Sequence, residues 1–205
     1  LFYRMRIKMN KLAKKIPNLT EKEEIETASL AIFLNKTCYN GLWRMNSSGE
    51  FNTPEGDYFE PKNIVQENHL RDCQKLLNNS KIYCRDWKES LRRAGAGDLV
   101  YIDPPYMPLK IEDIIFTDYF TSSFTIQDQE ELARMAAKAA KRGVRIIASN
   151  HDTEGNPNVR GIYNKAAKSA GIQKPKFVDI DVIRTISCKG YGRVKVGEVL
   201  IFMTN

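Results

Sequence analysis

The clearest chemical potential in this chain lies in Asp103-Pro104-Pro105-Tyr106. These residues follow the run Asp98-Leu99-Val100-Tyr101-Ile102, which predicts a buried strand ending at the acid. Open α/β sheets place ligands at the carboxyl ends of their strands. Two prolines stiffen the turn, remove two N–H donors and leave carbonyls free to accept. An acid followed by rigid carbonyls is a set of acceptors, and the tyrosine beside them offers a flat face for stacking. The arrangement suits a planar group bearing an NH₂. The same four residues can also form a plain Pro-Pro turn with a surface aspartate; the strand context favours the site.

Positioning such a loop requires a sheet, and the second half of the chain predicts one. Thr125 opens a helix with Asp128 three residues on, a capping box. Leu132, Met135, Ala136, Ala139 and Ala140 give that helix an apolar stripe, and Gly143 ends it. Residues 144–149 predict the next strand, and a helix around 159–170 ends at Gly171. Asn150-His151-Asp152 after the strand reads as a cap for that helix, which gives His151 a structural task. Two closing strands, near 176–184 and 197–203, flank a basic glycine-rich loop. Strand–helix alternation implies a parallel α/β sheet, and the closing pair implies an antiparallel edge.

The first half is more mixed. Residues 1–15 predict a basic helix. Thr20 and Glu23 form a second capping box, before a helix whose expected buried stripe is Ile25, Ala28 and Ile32. Asn40-Gly41 and Ser48-Gly49 are turn dipeptides, so residues 35–60 predict a β-hairpin or ordered loop. Residues 61–80 predict a loop and a helix, and 81–84 a short strand with Asp86 just beyond it.

The 205 residues carry a net charge of +7. Residues 1–19 hold six cations and no acid, and residues 182–197 hold four cations and no acid, which leaves the rest at −3. Two basic segments on a near-neutral body point to a polyanion partner. A solubilising surface is the plainer alternative. Hydrophobic residues at 42% and charged residues at 28% are globular values. No apolar run approaches a membrane span, and the cationic first twenty residues are no signal peptide. Cys38, Cys73, Cys84 and Cys188 form no CxxC pair, and neither His69 nor His151 clusters with them, so no metal is expected. Free thiols in a reducing cytoplasm fit best.

With its wider context, the loop resembles the catalytic motif of the amino-group DNA methyltransferases that act on adenine N6. The pattern is similar to the Dam group, or D12 class, over nearly the whole chain. It takes in Leu34-Asn35, Cys38 to Arg44, Asn46 to Asn52, Asp103 to Tyr106, Phe116 to Tyr119, and Phe124 with Gln129. It continues through Ser149 to Asp152, Arg184, Ser187 and Lys195 to Glu198. The resemblance implies a Rossmann-like, S-adenosylmethionine-dependent methyltransferase sheet, mostly parallel with an antiparallel edge strand. A small helical and β-hairpin DNA-recognition domain would accompany it. It divides the chain into recognition residues 1–70 and catalytic residues 71–205.

By resemblance, Asp103, Pro104, Pro105 and Tyr106 are catalytic. Asp103 also borders the S-adenosylmethionine, whose adenine lies by Asp86 and Trp87. These two read equally well as a loop acid and a packed tryptophan. Tyr39 wedges into double-stranded DNA at the target, Asn40 and Leu42 fill the gap, Arg44 reads a guanine and Asn46 lies alongside. Residue chemistry alone leaves Tyr39-Asn40-Gly41 equally readable as a hairpin turn with Arg44 on phosphate. Arg184, Ser187, Lys189, Arg193 and Lys195, with the basic first helix, are candidate backbone clamps. Phe116 and Tyr119 look like a loop near the flipped base, or core aromatics. The implied target is GATC, with a restriction endonuclease of the same site as a possible partner.

The chain departs from the family in one respect. Relatives begin with a basic segment containing a Pro-x-x-Lys-Trp pattern, then a strand and a Phe-x-Gly-x-Gly loop that holds the cofactor's methionine, and both are absent from these residues. Gly95-Ala96-Gly97 precedes a strand and Gly190-Tyr191-Gly192 lies between two, so neither fits that loop. With Leu1 in place of Met, an enzyme trimmed at its N-terminus is expected. A DNA-binding remnant without catalysis is the alternative from another class, and methylation of another amino group, on RNA or protein, is a third.

Overall fold

The computed structural model describes residues 1–57, 65–107, 124–152, 158–183 and 195–205. They divide into two compact units, one formed by residues up to Ile82 and one by those from Tyr83 onward. The expected division after residue 70 would cut helix α3 (Glu67–Leu77), which lies whole in the first unit. Among the described residues no helix is long and apolar enough to cross a membrane.

In the first unit, α1 (Phe2–Ala13) and α2 (Glu21–Thr37) pack together. Thr20 and Glu23 form the expected capping box at the start of α2. The buried face of α2 is not the expected one: Ile25 is 63% exposed, whereas Leu30, Leu34 and Thr37 are buried. The reason is tertiary. Phe2, Met9 and Leu12 of α1 close a small core with Leu30, Leu34, Cys38 and Phe51, and that core selects the stripe. The segment after α2 folds back on itself through two isolated bridges, Cys38 to Glu55 and Met45 to Phe51. Residues 81–84 form no strand; Ile82 and Tyr83 are exposed, and no described strand pairs with them.

The second unit is a four-stranded sheet in the order β1-β2-β4-β3, from β1 (Leu99–Ile102), β2 (Arg145–His151), β3 (Lys176–Ile183) and β4 (Lys195–Met203). β1 and β2 run parallel, with Ile102 opposite Ala148. β4 is antiparallel to both β2 and β3. The antiparallel strand is therefore inserted one place in from the edge, and the edge belongs to β3. Composition explains the choice. Val199 and Ile201 of β4 are wholly buried and Met203 nearly so, as an inner strand requires. β3 carries Lys176, Asp179 and Asp181, which suit an edge. β1 is less buried than its sequence implies, because Leu99 and Tyr101 are exposed at the other edge.

Helices α4 (Trp87–Arg93), α5 (Ile126–Lys141) and α6 (Val159–Ala170) complete the unit. Ala133, Ala136, Ala137 and Ala140 of α5 are wholly buried, and side chains this small allow close approach to sheet and neighbouring helix. Thr125 caps α5 as expected: its hydroxyl accepts from the Asp128 N–H, and the Asp128 carboxylate accepts from the Thr125 N–H at 2.7 Å. The backbone and then the hydroxyl of Thr125 hold the Asp128 carboxyl below its usual range. A depressed carboxyl stabilises the fold above the ordinary aspartate range, and that contribution is lost as pH falls through the folded value. Thr125→Ala should thus cost about 1 kcal/mol of unfolding free energy at neutral pH. The penalty should shrink in acid, as urea midpoints measured at both pH values would record.

Candidate functional site

The loop from Asp103 to Tyr106 leaves the carboxyl end of β1, as expected. Parallel pairing with β2 sets it beside Ser149, Asn150 and His151, which end the neighbouring strand. Ser149 Oγ lies 3.1 Å from Asp103 Oδ1 and itself accepts from the Tyr101 hydroxyl at 3.1 Å. One carboxylate oxygen of Asp103 is thus oriented by the strand, and Oδ2 keeps its accepting capacity.

Beyond the acid, the loop backbone is held from below. Gln129 Nε2, on α5, donates to the Pro105 carbonyl at 2.6 Å. Asn150 Nδ2 donates to Gln129 Oε1 at 3.2 Å, and Asn150 Oδ1 accepts from the Met107 N–H at 2.9 Å. His151 Nδ1 lies 2.8 Å from the Met107 carbonyl, which can only accept, so the proton sits on Nδ1. The His151 and Tyr106 rings meet edge to face at 4.9 Å. His151 is therefore structural, but its task is this loop. The cap of α6 is Asn158, whose side chain accepts from the Gly161 N–H, and Asp152 is paired instead with Arg160. Partial burial, with the charges of Glu198 and Asp103, pushes the Tyr106 hydroxyl up.

A cleft of about 410 Å³ opens beside the loop. Its walls are mainly apolar: Trp87 and Leu91 from α4, Val100 and Ile102 from β1, Phe124 and Leu132, with Asp103, Pro104 and Pro105 at its rim. Trp87 and Phe124 meet edge to face at 6.2 Å. Lys88 ties α4 to α5 through Glu131 at 2.7 Å. An apolar, aromatic-walled cleft with an acid in its lining can take a planar ring and a positive charge. Trp87 lines this cleft. Asp86 does not: its carboxylate caps α4 by accepting from the Lys88 N–H at 2.7 Å.

In the first unit, Tyr39, Asn40 and Gly41 make a tight turn whose last two residues have positive φ, 50° and 64°. Asparagine and glycine are the residues that tolerate this region. Asn35 Nδ2 donates to the Gly41 carbonyl and the Tyr39 N–H donates to the Pro54 carbonyl, which seats the turn on the end of α2. Gly56 lets the returning chain pass; a Cβ there would stand 2.8 Å from the Cys38 carbonyl. Asn40 and Arg44 are exposed, Tyr39 and Leu42 half-buried. Arg44 Nε donates to Asn52 Oδ1 at 2.8 Å, and the Asn52 N–H donates to the Arg44 carbonyl at 3.0 Å. Arg6 donates to the Thr53 carbonyl, and Asn10 pairs with both backbone groups of Phe51. Asn46 has a task of its own, its Oδ1 accepting from the Ser48 and Glu50 N–H groups to close the hairpin tip.

The basic first segment offers fewer unpaired charges than its sequence suggests. Lys8 pairs with Glu26, Lys14 with Glu50 and Lys15 with Glu23, whose carboxyl is held down to about 2 by Lys15 and by Thr20. Arg184, Ser187, Lys189 and Arg193 lie outside the described residues, as do Phe116, Tyr119 and the Gly190–Gly192 loop. Lys195 begins β4.

Sequence reasoning assigns no task to Gln129 and reads Asn150 only as part of a cap for the next helix. Both amides are buried and buried amides need partners, but only Asn150 ends an apolar run; Gln129 lies among polar residues, where the sequence carries no sign of its burial.

Comparison with known proteins adds an independent line. The model of the D12 class N6 adenine-specific DNA methyltransferase family matches residues 1–176. Type II methyltransferase M.MjaIII of Methanocaldococcus jannaschii is 38% identical over 189 residues, covering 92% of this chain and 59% of that protein. DNA adenine methylase of Serratia marcescens is 38% identical over 182 residues, 88% of this chain and 62% of its own. DNA adenine methylase of Escherichia coli K12 is 34% identical over 200 residues, 98% and 63% respectively. The chain thus spans about three fifths of the length of these relatives.

Proposed function

The chain belongs to the D12 class of N6 adenine-specific DNA methyltransferases, and from that membership we propose that its protein methylates adenine N6 in duplex DNA. The methyl donor is S-adenosylmethionine, the site is GATC, and the target base is flipped out of the helix because its amino group cannot be reached inside the stack. The observation that carries the reading is the acceptor pair at the cleft rim. Asp103 is oriented by Ser149, and the Pro104 carbonyl precedes a Pro105 carbonyl already taken by Gln129.

The residues have distinct tasks. Trp87, Leu91 and Phe124 form the apolar wall for the cofactor's adenine. When bound, S-adenosylmethionine supplies an electrophilic methyl group. The N6 lone pair of adenine is conjugated into the ring and is a poor nucleophile. The Asp103 carboxylate and the Pro104 carbonyl accept the two N6 hydrogens, which lets the nitrogen pyramidalise and free its lone pair. Positive charge growing on N6 is stabilised by the same carboxylate, a preorganised electrostatic role. Asp103 must stay ionised and need not be the base: as the N6–CH₃ bond forms the donor's S–CH₃ bond would break to leave a neutral thioether, and the extra N6 proton would pass to solvent. Tyr106 stacks on the flipped base. In the first unit Tyr39 enters the stack, Asn40 and Leu42 fill the gap, and Arg44 reads guanine.

The test is transfer of labelled methyl to paired duplexes, one with GATC and one scrambled, using the full-length protein. Label only in the GATC duplex is the expected result. Label in both would retain the chemistry and discard the site. No label, with salt-sensitive DNA binding intact, would leave a DNA-binding module.

A further inference from the structure

We propose that Gln129 and Asn150 are positioning residues: a buried two-amide clamp that decides which proline carbonyl faces the substrate. The inference rests on the reaction assigned above to the Asp103 loop. Gln129 is 3% exposed and Asn150 is fully buried, so their amides cannot fall back on water. Each must hydrogen-bond within the protein, and a buried network of this kind holds one geometry only when every member is satisfied.

The network is directional. Gln129 uses its N–H on the Pro105 carbonyl and its oxygen on Asn150 Nδ2. Asn150 uses its own oxygen on the Met107 N–H. The clamp therefore grips the backbone on both sides of Tyr106, at residues 105 and 107. An amide oriented at one end is oriented at the other, because each oxygen only accepts and each nitrogen only donates; Asn150 Oδ1 accepts from the His151 N–H as well, at 2.9 Å. Pro105 and Pro104 present the only carbonyls between the acid and the tyrosine. With the first engaged by Gln129, the Pro104 carbonyl has no hydrogen-bond partner among the described residues and keeps its accepting capacity. Without the clamp, the peptide between Pro105 and Tyr106 loses its anchor, and rotation there swings both the acceptor and the stacking ring. Small displacements of such groups cost rate steeply, since the reaction depends on alignment.

The experiment uses Gln129→Met, which matches the side chain's length but makes no hydrogen bond. Two readouts are taken on the folded full-length variant. The first is amide exchange at Met107, expected to be at least about tenfold faster than in the unsubstituted protein, with Ile147 in β2 unchanged. The second is steady-state and single-turnover methylation: kcat is expected to fall about tenfold, with KM for DNA and for S-adenosylmethionine within twofold. Unchanged exchange at Met107 would overturn the clamp. Faster exchange with unchanged kcat would overturn its role in the reaction. Faster exchange in a protein that methylates no duplex even when unsubstituted would support the clamp and remove the function proposed above. Should Gln129→Met not fold, Asn150→Leu keeps the branched shape of the side chain and removes both of its hydrogen-bonding groups from the network. A kcat loss at constant KM then supports the clamp, and a kcat within twofold overturns it.

Discussion

Asp103→Ala is expected to lower single-turnover methyl transfer by roughly 10²–10³-fold or more, the scale seen when one preorganised electrostatic group is removed. The substitution takes away two things at once: the acceptor for one N6 hydrogen and the charge that stabilises positive N6. The neighbouring hydroxyls do not replace the charge, and the Glu198 carboxylate accepts from the Tyr106 hydroxyl at 3.5 Å. Ser149 and Tyr101 supply hydroxyls to the site, and a hydroxyl carries no charge. The loop should keep its shape, because its anchors are Pro105 and Met107 rather than the acid. DNA binding should therefore survive within a few-fold, whereas S-adenosylmethionine binding should weaken, because the acid that borders its positive charge is gone. Asp103→Asn separates the two contributions, since it keeps an acceptor oxygen and loses the charge; its rate should fall between those of the alanine variant and the unsubstituted protein. Rapid-quench measurement of labelled methyl in duplex DNA reads all three. Unchanged single-turnover methylation in Asp103→Ala would falsify the mechanism.

Arg44→Ala is expected to cost about 1–3 kcal/mol of discrimination at a single base pair, about fivefold to 150-fold in the rate ratio between cognate and singly substituted duplexes. The side chain is prepared for such reading. Asn52 Oδ1 engages Nε, and among the described residues the two terminal nitrogens have no protein partner. Arginine's outer fork matches guanine O6 and N7, so holding Nε steadies the fork without occupying it. The competing assignment, contact with phosphate, gives a different signature. Affinity would then drop uniformly across sequences, and the salt dependence of binding would fall by about one phosphate's worth. Measuring transfer on GATC and on each single-pair substitute, at two salt concentrations, separates them.

The features legible in the sequence are those set by near neighbours. Both capping boxes, at Thr20 and Thr125, form where the spacing places them, because a cap involves residues three apart. The Asn40-Gly41 turn needs two residues able to adopt positive φ, and the sequence supplies them side by side. The loop after β1 sits at a strand's carboxyl end because an apolar run followed by two prolines can do little else. Periodicity alone did less well. It pointed to Ile25, Ala28 and Ile32 on α2, whereas the small core with α1 buries Leu30, Leu34 and Thr37. An isolated helix has several plausible apolar stripes, and only its packing partner chooses among them.

What the sequence determined by itself was therefore the chemistry on offer: an acid with rigid carbonyls, an aromatic beside it, and a turn bearing an arginine. The tertiary structure decided how those groups are held and which of them are free. It placed β4 inside the sheet rather than at its edge, because the more apolar of the two closing strands gains more from burial. It paired three lysines of the first fifteen residues with glutamates. It joined Gln129 to Pro105 across 24 residues and Asn150 to Met107 across 43. Such pairings have no local signature. They follow from sheet register and from the need of every buried amide for a partner, and that need can be met only once the chain has closed on itself.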